Sequence, residues 1–121
     1  MINGRIEQFL DTGWYSEATL YLDGYIYWCE AQYDSQRSLN HFFVDKWAAK
    51  SENNTLFHSI LEADGTLKWI RVFEDESNDL DMIKRHFLES PIFDNKTFWE
   101  VEKRIAWLDE GAPTIREGSN V

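Results

Sequence analysis

The sequence predicts an α+β fold: an antiparallel meander of about five strands, with a short N-terminal helix and two C-terminal helices. Three observations lead there. Asp-Gly pairs at positions 23–24 and 64–65 each separate runs rich in β-branched and aromatic residues, and Asp-Gly is a favoured two-residue hairpin turn. Apolar and polar residues alternate along the first of these runs, as in a strand with one buried face. The last third instead spaces its apolar residues at helical intervals behind capping residues.

Taken in order, Ile6, Phe9 and Leu10 share a helical face between Ile2 and Asp11, and Gly13 follows where a left-handed cap ends a helix. "WYSEATLYL" and "YIYWCEAQY" then flank Asp23 and Gly24. In the first, Trp14, Ala18, Leu20 and Leu22 fall on one face, and Tyr15, Glu17, Thr19 and Tyr21 on the other. "HFFVDKWAAK", residues 41–50, reads as a third strand in which Phe43 and Trp47 share a parity. Asn53 and Asn54 turn the chain into "TLFHSILEA", and Asp64 and Gly65 turn that into "TLKWIRVFE". Leu80, Ile83 and Phe87 follow helical spacing in "NDLDMIKRHFLES", with Ser77 or Asn78 as N-cap and Pro91 as stop. In "TFWEVEKRIAWL", Thr97 and Glu100 match a capping box, and Phe98, Val101, Ile105 and Leu108 form an apolar stripe. The helices are expected to cover one face of the sheet.

The chain of 121 residues has no internal repeat, which points to one domain over residues 1–121. At that size about two-thirds of the unfolded surface is buried on folding. The 6 Trp, 5 Tyr and 8 Phe supply a core without staples. Cys29 is the single cysteine, so neither an intramolecular disulfide nor a thiolate metal cluster can form. Within its strand-like run it reads as a small apolar residue. No apolar stretch reaches bilayer-spanning length, and "MINGRIEQFLDTG" lacks the basic start and apolar centre of a signal peptide. A cytoplasmic location is expected.

Charge narrows the function further. There are 22 acidic against 12 basic side chains, a net charge of −10, spread over the whole length. Such a field repels nucleic acid and anionic membranes and draws in a basic partner. It also keeps a small protein soluble.

No HExxH, GxSxG, CxxC or phosphate-cradling loop occurs, and His41, His58 and His86 lie in separate elements. The acidic stretch "FEDESNDLDMIK" fails as a calcium loop: counted from Asp75, the sixth residue is Leu80 and the twelfth His86, where glycine and glutamate are required. No catalytic residue, metal or cofactor is therefore expected. Asp79 and Asp81 read as first-turn carboxylates at the positive end of a helix dipole. Glu74, Asp75 and Glu76 read as a strand-to-helix loop whose like charges are either solvated or compensated from outside the chain. Tyr15, Tyr21, Tyr25, Tyr27, Trp28 and Tyr33 crowd the first hairpin, as cross-strand pairs or as an exposed contact surface.

With its stretches "GWYSEATLYLDGYIYWCEAQYD" and "SPIFDNKTFWEVEKRIAWLDE", the chain resembles small bacterial immunity proteins, the cognate inhibitors of contact-dependent and polymorphic toxins. That class shares no motif, so no residue is carried over by position. The resemblance implies a non-enzymatic protein that binds one toxin domain, frequently a nuclease, and blocks its active site or a surface near it. A nuclease needs a basic cleft for phosphates, which an acidic inhibitor complements. The expected contact set is Glu74, Asp75, Glu76, Asp79, Asp94, Asp109 and Glu110, with aromatic anchors at Tyr15 and Trp28. Two other readings stay open. One is a nucleic-acid-mimicking inhibitor, phage-encoded or otherwise, of a host defence protein; the other is a small-molecule-binding domain with a cleft between helices and sheet.

Overall fold

Asp23 and Gly24 take φ values of 51° and 92°, the handedness a type I′ turn requires and one that glycine adopts without a Cβ penalty. They join β1 (Glu17–Leu22) to β2 (Tyr25–Asp34). The computed structural model describes residues 1–2, 5–12, 17–48 and 69–108. β3 (Leu39–Ala48) pairs with the whole of β2, from Tyr25 opposite Ala48 to Asp34 opposite Leu39. β4 (Ile70–Ser77) lies antiparallel on the far side of β3. The Gly13 cap, Trp14, Tyr15, the side chain of Phe9, the turns at 53–54 and 64–65 and the expected strand over 55–63 lie outside the described residues.

The expected layout is corrected at both ends of the chain. From one edge the strands run β4, β3, β2, β1 and then β5 (Ala106–Leu108), so the sheet is not a simple meander. Its last strand, β5, returns to the opposite edge and pairs with β1, Trp107 facing Leu20. This strand comes from the end of the run expected to be helical through Leu108. Only α3 (Phe98–Val101) and a 3₁₀ turn (Glu102–Arg104) precede it.

The physical reason is a competing set of backbone partners. Ile2 bridges Ala106 in parallel, with Ile2 N donating to Ile105 O and Trp107 N to Ile2 O, both at 2.8 Å. Backbone groups that a longer helix would have used are thus satisfied by strands on either side. The same bridge holds Ile2 in extended backbone, leaving only Ile6–Thr12 for α1. The one extended helix among the described residues is α2 (Leu80–Glu89), of 10 residues.

The N-cap of α2 is Asp79 rather than Ser77 or Asn78: its Oδ1 accepts from Met82 N at 3.2 Å. Ser77 Oγ in turn accepts from Asp79 N at 2.9 Å. At the other end Ser90 Oγ donates to His86 O at 2.6 Å, and Pro91 follows. Ile83 and Phe87, one turn apart, are buried.

One sheet face, carrying Ala18, Leu20, Tyr27, Cys29, Phe42 and Val44, packs against Ile6, Leu10, Ile83, Phe87, Phe93 and Phe98. Rings run through this core in series: Phe42 to Phe87 at 5.1 Å, Phe87 to Phe93 at 6.4 Å and Phe93 to Phe98 at 6.2 Å, all near edge-on. Such pairs add roughly 0.5–1.5 kcal/mol each beyond their buried area. Phe93 is placed by a tight turn in which Phe93 and Lys96 exchange backbone bonds of 3.0 and 3.1 Å. Its central residues, Asp94 and Asn95, have φ of 57° and 65°, and Asp and Asn reach that region at least cost after glycine. The other sheet face holds a smaller cluster of Ile26 and Trp47 with Tyr21, Trp28 and Leu108.

Candidate functional site

Glu74, Asp75 and Glu76 are residues of β4, not of a loop. Strand alternation sends Glu74 and Glu76 to one face and Asp75 to the other, and each meets a partner from its own chain. Glu74 Oε2 lies 2.6 Å from His41 Nε2 and accepts from Arg71 Nη1 at 3.4 Å. Glu76 Oε2 accepts from Arg37 Nη2 at 2.8 Å. Asp75 Oδ2 lies 2.8 Å from His86 Nδ1 on α2. The expectation of an uncompensated acidic loop is therefore corrected. The hydrogen bond from His41, with the nearby Arg71, holds the Glu74 carboxyl below the usual carboxylate range.

Two arginines extend this seam. Arg71 makes a two-pronged contact with Asp45, Nε to Oδ1 at 2.9 Å and Nη2 to Oδ2 at 3.2 Å. Its guanidinium carbon stands 4.1 Å from the centre of the Phe43 ring. Arg37 donates from Nε to Asp34 Oδ2 at 2.7 Å. Asp34 Oδ1 meanwhile accepts from the backbone N of Gln36 and Arg37, folding the β2–β3 turn. Bonding to Arg37 lowers the Asp34 pKa. The side chains that meet the acidic run thus come from β3, from α2, from β4 itself and from the turn before β3.

The remaining expected residues scatter. Asp79 is spent on the α2 cap, and Asp94 stands exposed at the apex of the Phe93–Lys96 turn, past the other end of α2. A helix of 10 residues puts those two ends about 15 Å apart. Trp28 is half-buried: its Nε1 donates to Glu30 Oε1 at 3.2 Å, and its ring lies 6.3 Å from that of Trp47. Tyr15, Asp109 and Glu110 lie outside the described residues.

Sequence reasoning missed Trp99, which is 48% exposed on α3 and edge-on to Phe98 at 5.2 Å. A helical wheel could have found it, because position 99 falls off the stripe of Phe98, Val101 and Ile105. It also missed that Asp81 and Glu89, both exposed, share with Asp94 the lack of a side-chain partner among the described residues.

Chemically, Cys29 is fully buried, and burial together with Asp45 pushes its thiol up, so it stays protonated at neutral pH. No serine, threonine or cysteine among the described residues bonds to the His41 or His86 ring. No group of three or more His, Cys, Asp or Glu placed to hold a metal occurs among them. No helix among them is long and apolar enough to cross a membrane. Comparison with models of known protein families, with curated proteins and with solved structures finds no match for the chain.

Proposed function

We propose that the chain is an immunity-type inhibitor, a non-enzymatic cytoplasmic protein that binds one basic toxin domain and blocks it. The observation that carries this reading is the charge surplus: −10 overall, with Asp81, Glu89 and Asp94 exposed and unmatched within the described residues. Charges already paired inside a protein contribute little to a partner, whereas unmatched ones steer encounter with a basic surface. Trp99, exposed next to this acidic stretch of chain, supplies the kind of aromatic anchor that dominates interface energetics. The contact surface is therefore read as the outer side of α2, the 90–97 loop and α3. Glu74, Asp75 and Glu76 chiefly hold β3, β4 and α2 together and add only to the overall field.

The test is growth rescue. The toxin domain encoded beside this gene is produced alone and with the protein. Wild type should restore growth, and Asp94→Asn with Trp99→Ala should restore it less. Unchanged killing in the presence of folded wild type contradicts the proposal.

A further inference from the structure

A groove of about 550 Å³ opens where β3 and β4 meet the loop after α2. Val72, Phe73 and Ile92 give it apolar surface, and Lys46 and Asp94 bring opposite charges to its lining. Lys46 is half-buried, with its ammonium 4.3 Å from the centre of the Tyr25 ring and 5.4 Å from that of Tyr27. Aromatic faces orient a cation without neutralising it, and no carboxylate among the described residues pairs with Lys46. Asp94 is held on the Phe93–Lys96 turn and has no cationic partner among them either. By contrast, Arg37, Arg71 and Arg104 each sit on a carboxylate. Lys46 and Asp94 share one groove without joining each other.

We propose that this groove binds a small zwitterion, with its carboxylate toward Lys46, its ammonium toward Asp94 and an apolar body on Val72, Phe73 and Ile92. A ligand with a single charge would cover the opposite charge of the groove and leave it desolvated without compensation. A purely anionic ligand would also work against the net field of the protein. The groove volume lies within the range of small-molecule sites. This site is separate from the toxin reading, although both use Asp94. Lys46→Met distinguishes them, because it should weaken the zwitterion and leave toxin rescue unchanged.

Isothermal titration of the full chain with L-leucine and 5-aminopentanoate tests the proposal, with pentylamine and pentanoate as single-charge analogues. At least one zwitterion should bind saturably, with both analogues weaker by about tenfold or more. Lys46→Met, which keeps an apolar stem on the tyrosines, and Asp94→Asn, which keeps a residue that tolerates the left-handed turn, should each weaken it by about tenfold. The comparison of zwitterion with analogue needs no variant, so it decides the matter if a variant misfolds. No saturable heat up to about 10 mM, an analogue binding as tightly, or equal binding by both folded variants would each overturn the proposal.

Discussion

His86 Nδ1 lies 2.8 Å from Asp75 Oδ2, joining α2 to β4 across the rim of the core. With Glu74 on His41 and Glu76 on Arg37, it turns a run of carboxylates into a seam between elements.

The seam gives acid sensitivity of a definite sign. The Glu74 carboxyl is held below its ordinary value of 4.5 chiefly by the His41 hydrogen bond. Its contribution is therefore present above that ordinary value and lost as pH falls through the folded one. In urea melts, wild type should be more stable than Glu74→Gln near neutral pH, with the gap closing below pH 4.5. A gap that persists unchanged in acid would exclude the pairing as its cause.

At alkaline pH Tyr27 contributes, its phenol pushed from 10.0 up to about 12, first by burial and then by Asp94 and Asp23. The raised value means that its contribution to stability is fully present below 10.0 and is lost as pH rises through about 12. Ultraviolet titration should show one late-ionising tyrosine that is absent in Tyr27→Phe.

Phe87 lies fully buried among the rings of Phe42, Phe73 and Phe93. Phe87→Ala should cost about 3–5 kcal/mol in chemical denaturation. Trp99→Ala, at a half-exposed position whose ring contact is the edge-on pair with Phe98, should cost only about 1 kcal/mol. Similar costs for both would refute the placement of these two rings.

Cys29 should resist aromatic disulfide reagents in the native protein and react fully once unfolded, because its thiol is buried and its ionisation suppressed. Rapid native labelling would count against that burial.

Legibility in the sequence followed how local each determinant is. The first hairpin was readable because Asp23 and Gly24 supply the turn, and Ala18, Leu20 and Leu22, all buried, supply the face. Helix α2 was readable from Leu80, Ile83 and Phe87. Its cap was misassigned among three neighbouring cap-formers, and only the reach of Asp79 to Met82 N decides it. Strand β5 was not readable, since Ile105 and Leu108 extend a helical stripe, and the partners that pull the segment extended are Ile2 and β1. The acidic run was misplaced for the same reason: its partners Arg37, His41 and His86 stand 39, 33 and 11 positions away along the chain. At the candidate contact surface, Asp94 was anticipated from charge alone. Asp81, Glu89 and Trp99 needed the burial pattern to separate outward from inward positions.

The most direct test of the central claim is the association rate with the toxin domain encoded beside the gene, measured at low and high salt. The wild type is compared with Asp81→Asn/Glu89→Gln/Asp94→Asn, which removes unmatched carboxylates, and with Glu74→Gln/Glu76→Gln, which removes matched ones. The first variant should associate several-fold more slowly at low salt with a flattened salt dependence, whereas the second, once folded, should associate nearly as fast as wild type. Equal rates for all three proteins at every salt concentration, or a loss confined to the Glu74 and Glu76 variant, would contradict that claim.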